Sequence, residues 1–317
     1  MEWAAISWEL PAGILILAIG GELLVIGAAS IARHLRVSSV FIGITLVGFG
    51  TSMPELVTSI RAALLESPGI AVGNAIGSNT ANILLVLGLA ALIYPISTPH
   101  SVVRRSGLVV VAATAVCIAV VFFGHIDRTI GAALVALLFA YFAYSYFQDG
   151  AVLEGSEGGG GASKGVGRAW FFALVGIALV LLGARWLVDS SIALARHYAV
   201  SETIIGLTVV AIGTSLPELI TSLMAARRKE TGIALGNVLG SNIQNIFGIL
   251  GITAIVHPIT VPSEIIRFDI WVMAAATLAL ILFAISNWRI SRLEGLLFFL
   301  AYVAYVGYLA YLALPMA

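Results

Sequence analysis

The stretch Gly50-Thr51-Ser52-Met53-Pro54-Glu55 is followed by Gly73-Asn74-Ala75-Ile76-Gly77-Ser78-Asn79 and then by Asn82. The arrangement returns 163 residues on, as Gly213-Thr214-Ser215-Leu216-Pro217-Glu218, Gly236-Asn237-Val238-Leu239-Gly240-Ser241-Asn242 and Asn245. Between Gly43 and Leu84, 23 of 42 positions equal their partners in Gly206 to Phe247, without a gap. Shared apolar composition would not put Pro, Glu and each Asn in register. The chain therefore repeats one unit, and each copy carries a carboxylate inside an apolar run.

Hydrophobic residues make up 60% of the chain and charged ones 10%, against roughly 45–50% and about 25% in soluble proteins. So few charges cannot cover a soluble surface of this size, and the chain reads as an all-α integral membrane protein. The single Cys117 rules out an internal disulfide framework and a multi-Cys metal site. A net charge of zero gives no sign of a nucleic-acid partner; the expected partner is the lipid bilayer. Glu2 and Glu9 precede the first apolar run where a cleaved signal would have a basic region, so no signal peptide is expected.

Apolar stretches fall at 10–31, 40–64, 70–94, 107–123 and 129–147, and again at 169–193, 201–225, 231–256, 268–286 and 293–313. Most reach the roughly 20 residues that a membrane helix needs; the fourth is short and is expected to tilt or lie partly at the interface. This predicts ten transmembrane helices. Residues 1–147 form a first five-helix unit with its polar motif at 43–84. Residues 169–317 form a second, with its motif at 206–247. Between them, 148–168 holds four consecutive glycines, Gly158 to Gly161, and reads as a flexible linker. With the N-terminus outside, eleven Lys and Arg fall on the cytoplasmic side and five on the other. The positive-inside bias thus places both termini outside and the linker inside, in a plasma membrane. The repeat spans an odd number of helices, so equivalent residues face opposite sides of the membrane. That is an inverted-topology repeat, a plan that places a midplane site between the halves and exposes it to each side in turn.

The polar residues suit a hard cation. Pro54 lacks an N–H and its ring opposes the carbonyl of Gly50, so the helix should kink or break there. Carbonyls released around Val47 to Gly50 then need partners where bulk water is missing. Thr51 and Ser52 add hydroxyls and Glu55 a carboxylate; Thr214, Ser215 and Glu218 do the same in the second copy. Asn74, Ser78 and Asn82 are four apart and share one helical face, as do Asn237, Ser241 and Asn245. Asn79 and Asn242 fall off that face. An oxygen-only set with no Cys or His disfavours zinc and copper. Two carboxylates match the charge of one Ca²⁺, and can be met instead by Na⁺ or protons. Competing structural roles are a helix-packing ion pair for each Glu, a small contact residue at Ser78 and Ser241, and a backbone bond for Asn74 and Asn237. Glu22 and Asp189 occupy non-equivalent places in their halves and are not expected to ligate. Tyr and Phe at 139–147 and 298–312 are expected to pack against lipid.

The paired Gly-Thr-Ser-x-Pro-Glu and Gly-Asn-x-x-Gly-Ser-Asn-x-x-Asn motifs resemble the alpha repeats of the cation/Ca²⁺ antiporter superfamily. They are most similar to those of the prokaryotic sodium/calcium exchangers. The resemblance implies a transporter and not an enzyme, with Ca²⁺ and Na⁺ as transported ions and no cofactor. It implies that Thr51, Ser52, Glu55, Asn74, Ser78 and Asn82 line four ion sites together with Thr214, Ser215, Glu218, Asn237, Ser241 and Asn245. Carbonyls of Val47 and of Val210 or Ala211 would add to the Na⁺ sites. It further implies exchange of three Na⁺ for one Ca²⁺, with the first and sixth helices sliding across the core. H⁺/Ca²⁺ antiport is the alternative, and a passive cation channel a weaker one. Asn245 stands where some archaeal and potassium-dependent relatives carry Asp, which argues against K⁺ co-transport. The oligomeric state is left open, a monomer being compatible with all of this.

Overall fold

A computed structural model describes residues 2–152, 165–197 and 211–313. Among them, eight helices are long and apolar enough to cross a membrane, and a bent pair makes a ninth span. In chain order, α1 is Glu2–Leu35, and the bent pair is α2, Ser39–Thr51, with α3, Met53–Leu64. Then come α4, Gly69–Ile93, α5, His100–Phe122, and α6, Arg128–Val152. The second half gives α7, Val166–His197, the short α8, Ala211–Thr214, and α9, Leu216–Arg227. It ends with α10, Thr231–Val256, α11, Ile265–Ser286, and α12, Arg292–Ala313. Of the expected span 201–225, residues 201–210 lie outside those described.

Two boundaries differ from expectation. The fourth span is not short: α5 starts at His100, so Arg104 and Arg105 lie within a helix and not in a loop. The apolar run alone had hidden this, because a π-helical turn, Val103–Gly107, carries the two arginines into the helix. Likewise α6 continues through Gln148 to Val152, into the stretch read as linker. Of the four glycines in that stretch, all lie outside the described residues.

The polar motifs sit on the elements most shielded from lipid. The spans of α4 and α10 are 78% and 89% buried, against 17% for α12. This is where a membrane protein can hold amides and irregular backbone. Around them, α1 and α7 pack along each other over most of their length. A Cβ on Gly27 would come within 2.4 Å of the Ala173 backbone nitrogen, so only glycine permits that approach. Exposed side chains such as Phe139, Phe147 and Tyr311 form the outer surface.

Two short antiparallel ribbons tie the halves together. In one, β1 (Ile96–Ser97) pairs with β4 (Arg289–Ile290); in the other, β2 (His125–Ile126) pairs with β3 (Ile259–Thr260). Each joins a loop of the first half to a loop of the second. Strands two residues long carry no periodicity, so the sequence offered no sign of them.

Candidate cation-binding site

Each helix break falls at a serine. Ser52, at φ −82° and ψ 6°, separates α2 from α3, which diverge by 45°. Ser215, at φ −88° and ψ 5°, separates α8 from α9. Pro54 and Pro217 lie in the first turn of the helix that follows, where a missing N–H leaves no bond unmade. The chain thus resolves the expected clash by starting a new helix. A π-helical stretch, Gly43–Val47, precedes the first break, and π-helical stretches also begin at Asn82 and Gln244. Such turns spoil the regular ladder and release carbonyls. Val47 O is met by Thr51 Oγ1 at 3.1 Å, and Ile44 O by Gln244 Nε2 at 2.6 Å.

The breaks bring the hydroxyls of each half against the polar groups of the other. Ser52 Oγ donates to Glu218 Oε1 at 2.9 Å and lies 3.2 Å from Ser241 Oγ. Thr51 Oγ1 lies 3.2 Å from Asn237 Oδ1. From the second half, Ser215 Oγ, close to Glu55, points to Ser78 Oγ at 3.4 Å. Ser241 Oγ also reaches Glu218 Oε1, at 3.4 Å.

Glu55 and Glu218 are both 1% exposed, and each feels the other's charge. No Lys or Arg among the described residues pairs with either, which removes the ion-pair role. Both oxygens of Glu55 and Oε2 of Glu218 are buried, and among the described residues none of the three meets a donor within hydrogen-bond geometry. The same holds for Oδ1 of Asn82, Asn242 and Asn245, and the Nδ2 of Asn82 meets no acceptor among the described residues. Buried acceptors without donors are costly and uncommon. Here they share one small region and are nearly all oxygens, which is what a hard cation requires.

Asn74 and Asn237 do what their structural role predicted. Asn74 Nδ2 donates to Glu55 O at 3.0 Å and to Ser59 Oγ at 2.9 Å. Asn237 Nδ2 donates to Glu218 O at 3.2 Å and to Ser222 Oγ at 2.9 Å. Each amide nitrogen clamps the backbone of a buried Glu, and the carbonyl oxygen of Asn237 accepts from Thr51 Oγ1. Ser78 and Ser241 are polar partners and not merely small contact residues. Asn79 and Asn242 bond one another: Asn79 Nδ2 reaches Asn242 O at 3.3 Å, and Asn242 Nδ2 reaches Asn79 O at 3.4 Å. Asn245 Nδ2 donates to Asn79 Oδ1 at 2.9 Å. Of the carbonyls expected at the site, Ala211 opens α8 and Val210 lies outside the described residues.

A cavity of about 360 Å³ reaches Asn74, Ser78 and Thr214 from the end of the protein that holds Thr58, Ile70 and Leu309. Glu55 is not among its described lining residues, but Asn74, which is, holds the Glu55 carbonyl.

The pattern of the family described as sodium/calcium exchanger protein matches residues 8–147 and 168–311. The chain belongs to the sodium/calcium exchanger family. It is a transporter of that family and not an enzyme. The gap in the match coincides with the Gly-rich linker. Sodium/calcium exchanger MaX1 of Methanosarcina acetivorans is 34% identical over 326 residues, covering 89% of this chain and 92% of that protein. Inner membrane protein YrbG of Escherichia coli is 35% identical over 291 residues, covering 89% of each chain. A solved structure of the sodium-calcium exchanger NCX_Mj, soaked with Na⁺ and Sr²⁺, superposes with a TM-score of 0.86 at 33% identity. That match covers 97% of this chain and 99% of the other.

Within this exchanger-family site, sequence reasoning passed over Ser59 and Ser222, which orient the clamping amides. Both copies carry them four residues after the Glu, so the repeat held the signal. It also passed over Asp269, which lines the cavity and has no charged equivalent in the other half. Tyr302 and Tyr305, read as lipid-facing, line the same cavity. Glu22 pairs with Arg228, and Arg227 lies 4.0 Å away. Asp189 pairs with Arg185 one turn before it, at 3.5 Å.

Proposed function

We propose that this chain is a secondary active antiporter that exchanges Na⁺ for Ca²⁺ by alternating access. The observation that carries it is the pair of buried carboxylates, Glu55 and Glu218, with oxygens left over among the hydroxyls and amides of both halves. A doubly charged acceptor set can be neutralised by one Ca²⁺ or by several Na⁺ ions, but not by both at once. Competition for one charge is the basis of exchange. The MaX1 and NCX_Mj relatives, named as sodium/calcium exchangers, support the same ion pair. Thr51, Ser52, Asn74, Ser78, Asn82, Thr214, Ser215, Asn237, Ser241 and Asn245 complete the site, with carbonyls of Val47 and of Val210 or Ala211 serving Na⁺. A ratio of three Na⁺ to one Ca²⁺ makes the exchange electrogenic, and an inward Na⁺ gradient drives Ca²⁺ out.

The same proposal includes ten helices as two inverted five-helix units, 1–147 and 169–317, joined by a cytoplasmic linker. Support comes from contacts that map onto themselves when 163 is added. Asn79 and Asn242 exchange amide bonds, and the hydroxyls of Thr114 and Thr277 meet at 3.3 Å. The charge bias favours both termini outside.

Uptake of ⁴⁵Ca²⁺ into proteoliposomes, with Na⁺ and H⁺ gradients imposed separately, tests the coupling. Uptake driven by internal Na⁺ with protons clamped is expected. Uptake that needs only a pH gradient would replace Na⁺ with H⁺ as the coupling ion.

A further inference from the structure

We infer that Asp269 is a recruitment site, which draws hydrated divalent cations into the cavity before they reach Glu55 and Glu218. The inference rests on the antiport reading of the inner site. Asp269 ends a π-helical turn, Ile265–Asp269, at the start of α11, and lines the cavity with Asn74, Ser78 and Thr214. It is the only charged residue among the described lining residues. The lining also includes the apolar Ile70, Val306 and Leu309.

A carboxylate within a membrane span is costly and marks an ion pathway by default. The structural alternative is that a partner neutralises or fully satisfies it. No Lys or Arg among the described residues pairs with Asp269. Its described hydrogen bond comes from the Tyr305 hydroxyl, which donates to Oδ1 at 2.8 Å. That bond orients the acidic group and occupies one of its two oxygens. Low-dielectric walls around a single negative charge focus its field along the cavity. A chain of zero net charge offers no comparable long-range attraction.

The repeat sharpens the inference. Adding 163 to Ser106 gives Asp269, so the equivalent place in the first half is uncharged. The inner site is built alike from both halves, but this outer charge belongs to one side of the membrane only. Recruitment should therefore be one-sided.

The test is Asp269→Asn, which keeps an acceptor for Tyr305 and removes only the charge. Initial rates of Na⁺-dependent ⁴⁵Ca²⁺ transport are measured in right-side-out and everted vesicles, with ionic strength set by choline chloride. At low ionic strength the apparent KM for Ca²⁺ should rise about three- to tenfold from one side, with kcat retained. The difference should shrink in high salt, and Asp269→Glu should restore the low KM. Asp269→Ser gives the same test if the amide disturbs the Tyr305 contact. An unchanged KM, a fall in kcat alone, or an equal rise from both sides would overturn recruitment. Wild-type vesicles without Na⁺-dependent Ca²⁺ transport would instead overturn the antiport reading itself.

Discussion

Ser52 Oγ donates to Glu218 Oε1 at 2.9 Å, so a hydroxyl of the first half holds the charge of the second. Hydrogen bonds to a buried carboxylate contribute about 1.5–3 kcal/mol. In the proposed site Ser52 would also offer its lone pairs to the cation. Ser52→Ala should therefore raise the apparent KM for Na⁺ about tenfold, while Ser52→Thr keeps most of the affinity. Equal KM values for wild type and Ser52→Ala would remove Ser52 from the site.

How far could this contact be read from the sequence? The repeat placed Ser52, Glu55, Ser215 and Glu218 in equivalent positions, and the lack of sulfur and imidazole set the ligand chemistry. What it could not supply was the crossing, by which Ser52 serves Glu218 and not the nearby Glu55. That pairing depends on how two helix breaks interlock across 166 residues of chain, and no local spacing encodes it. The π-helical stretches and two-residue ribbons were hidden for a related reason: each is set by long-range packing. Asp269 escaped because the repeat, the strongest signal in the chain, has nothing at Ser106 to match it. The double use of Asn74 and Asn237 was half legible. Spacing put them on the site face and left a backbone bond as the competing role, but which carbonyl each amide holds, that of Glu55 or Glu218, is set by packing between helices.

Glu55 and Glu218 make opposite demands on stability and on function. Each is a buried carboxylate with oxygens lacking donors, a costly arrangement without a counter-charge. Ca²⁺ at ~100 times its Kd should stabilise the wild type by about 2.7 kcal/mol. Glu55→Gln and Glu218→Gln should each abolish ⁴⁵Ca²⁺ uptake. In ion-free detergent their Tm should equal or exceed that of the wild type, and Ca²⁺ should no longer raise it. A Gln variant that transports normally would refute the role of that Glu.

Asn245→Asp separates charge from hydrogen bonding. Asn245 Nδ2 donates to Asn79 Oδ1 at 2.9 Å, and an aspartate there sets one acceptor against another. Loss of that bond should cost about 1–3 kcal/mol in ion-free buffer, read as a lower Tm. The added charge attracts a divalent ion twice as strongly as a monovalent one. Ca²⁺ should thus restore the Tm, and the ratio of Ca²⁺ to Na⁺ affinity should rise at least about threefold. An unaltered ratio would show that Asn245 contributes no ligand.

One glycine of the second motif sits directly against backbone, which gives a prediction about packing. A Cβ on Gly240 would come within 2.6 Å of the Cα and carbonyl oxygen of Ile44, both backbone atoms of the π-helical turn before the first break. Backbone cannot swing aside as a flexible side chain can, so Gly240→Ala must push α10 away from α2. Overpacking of this kind costs about 1–3 kcal/mol or more. It would also displace Ser241, and with it the contacts to Ser52 and Glu218. Gly240→Ala should therefore lower both the Tm and the exchange rate. Thermal melts of the purified variant and the wild type, run side by side in detergent, check this directly. An unchanged Tm would mean that α10 and α2 can separate at this contact without cost.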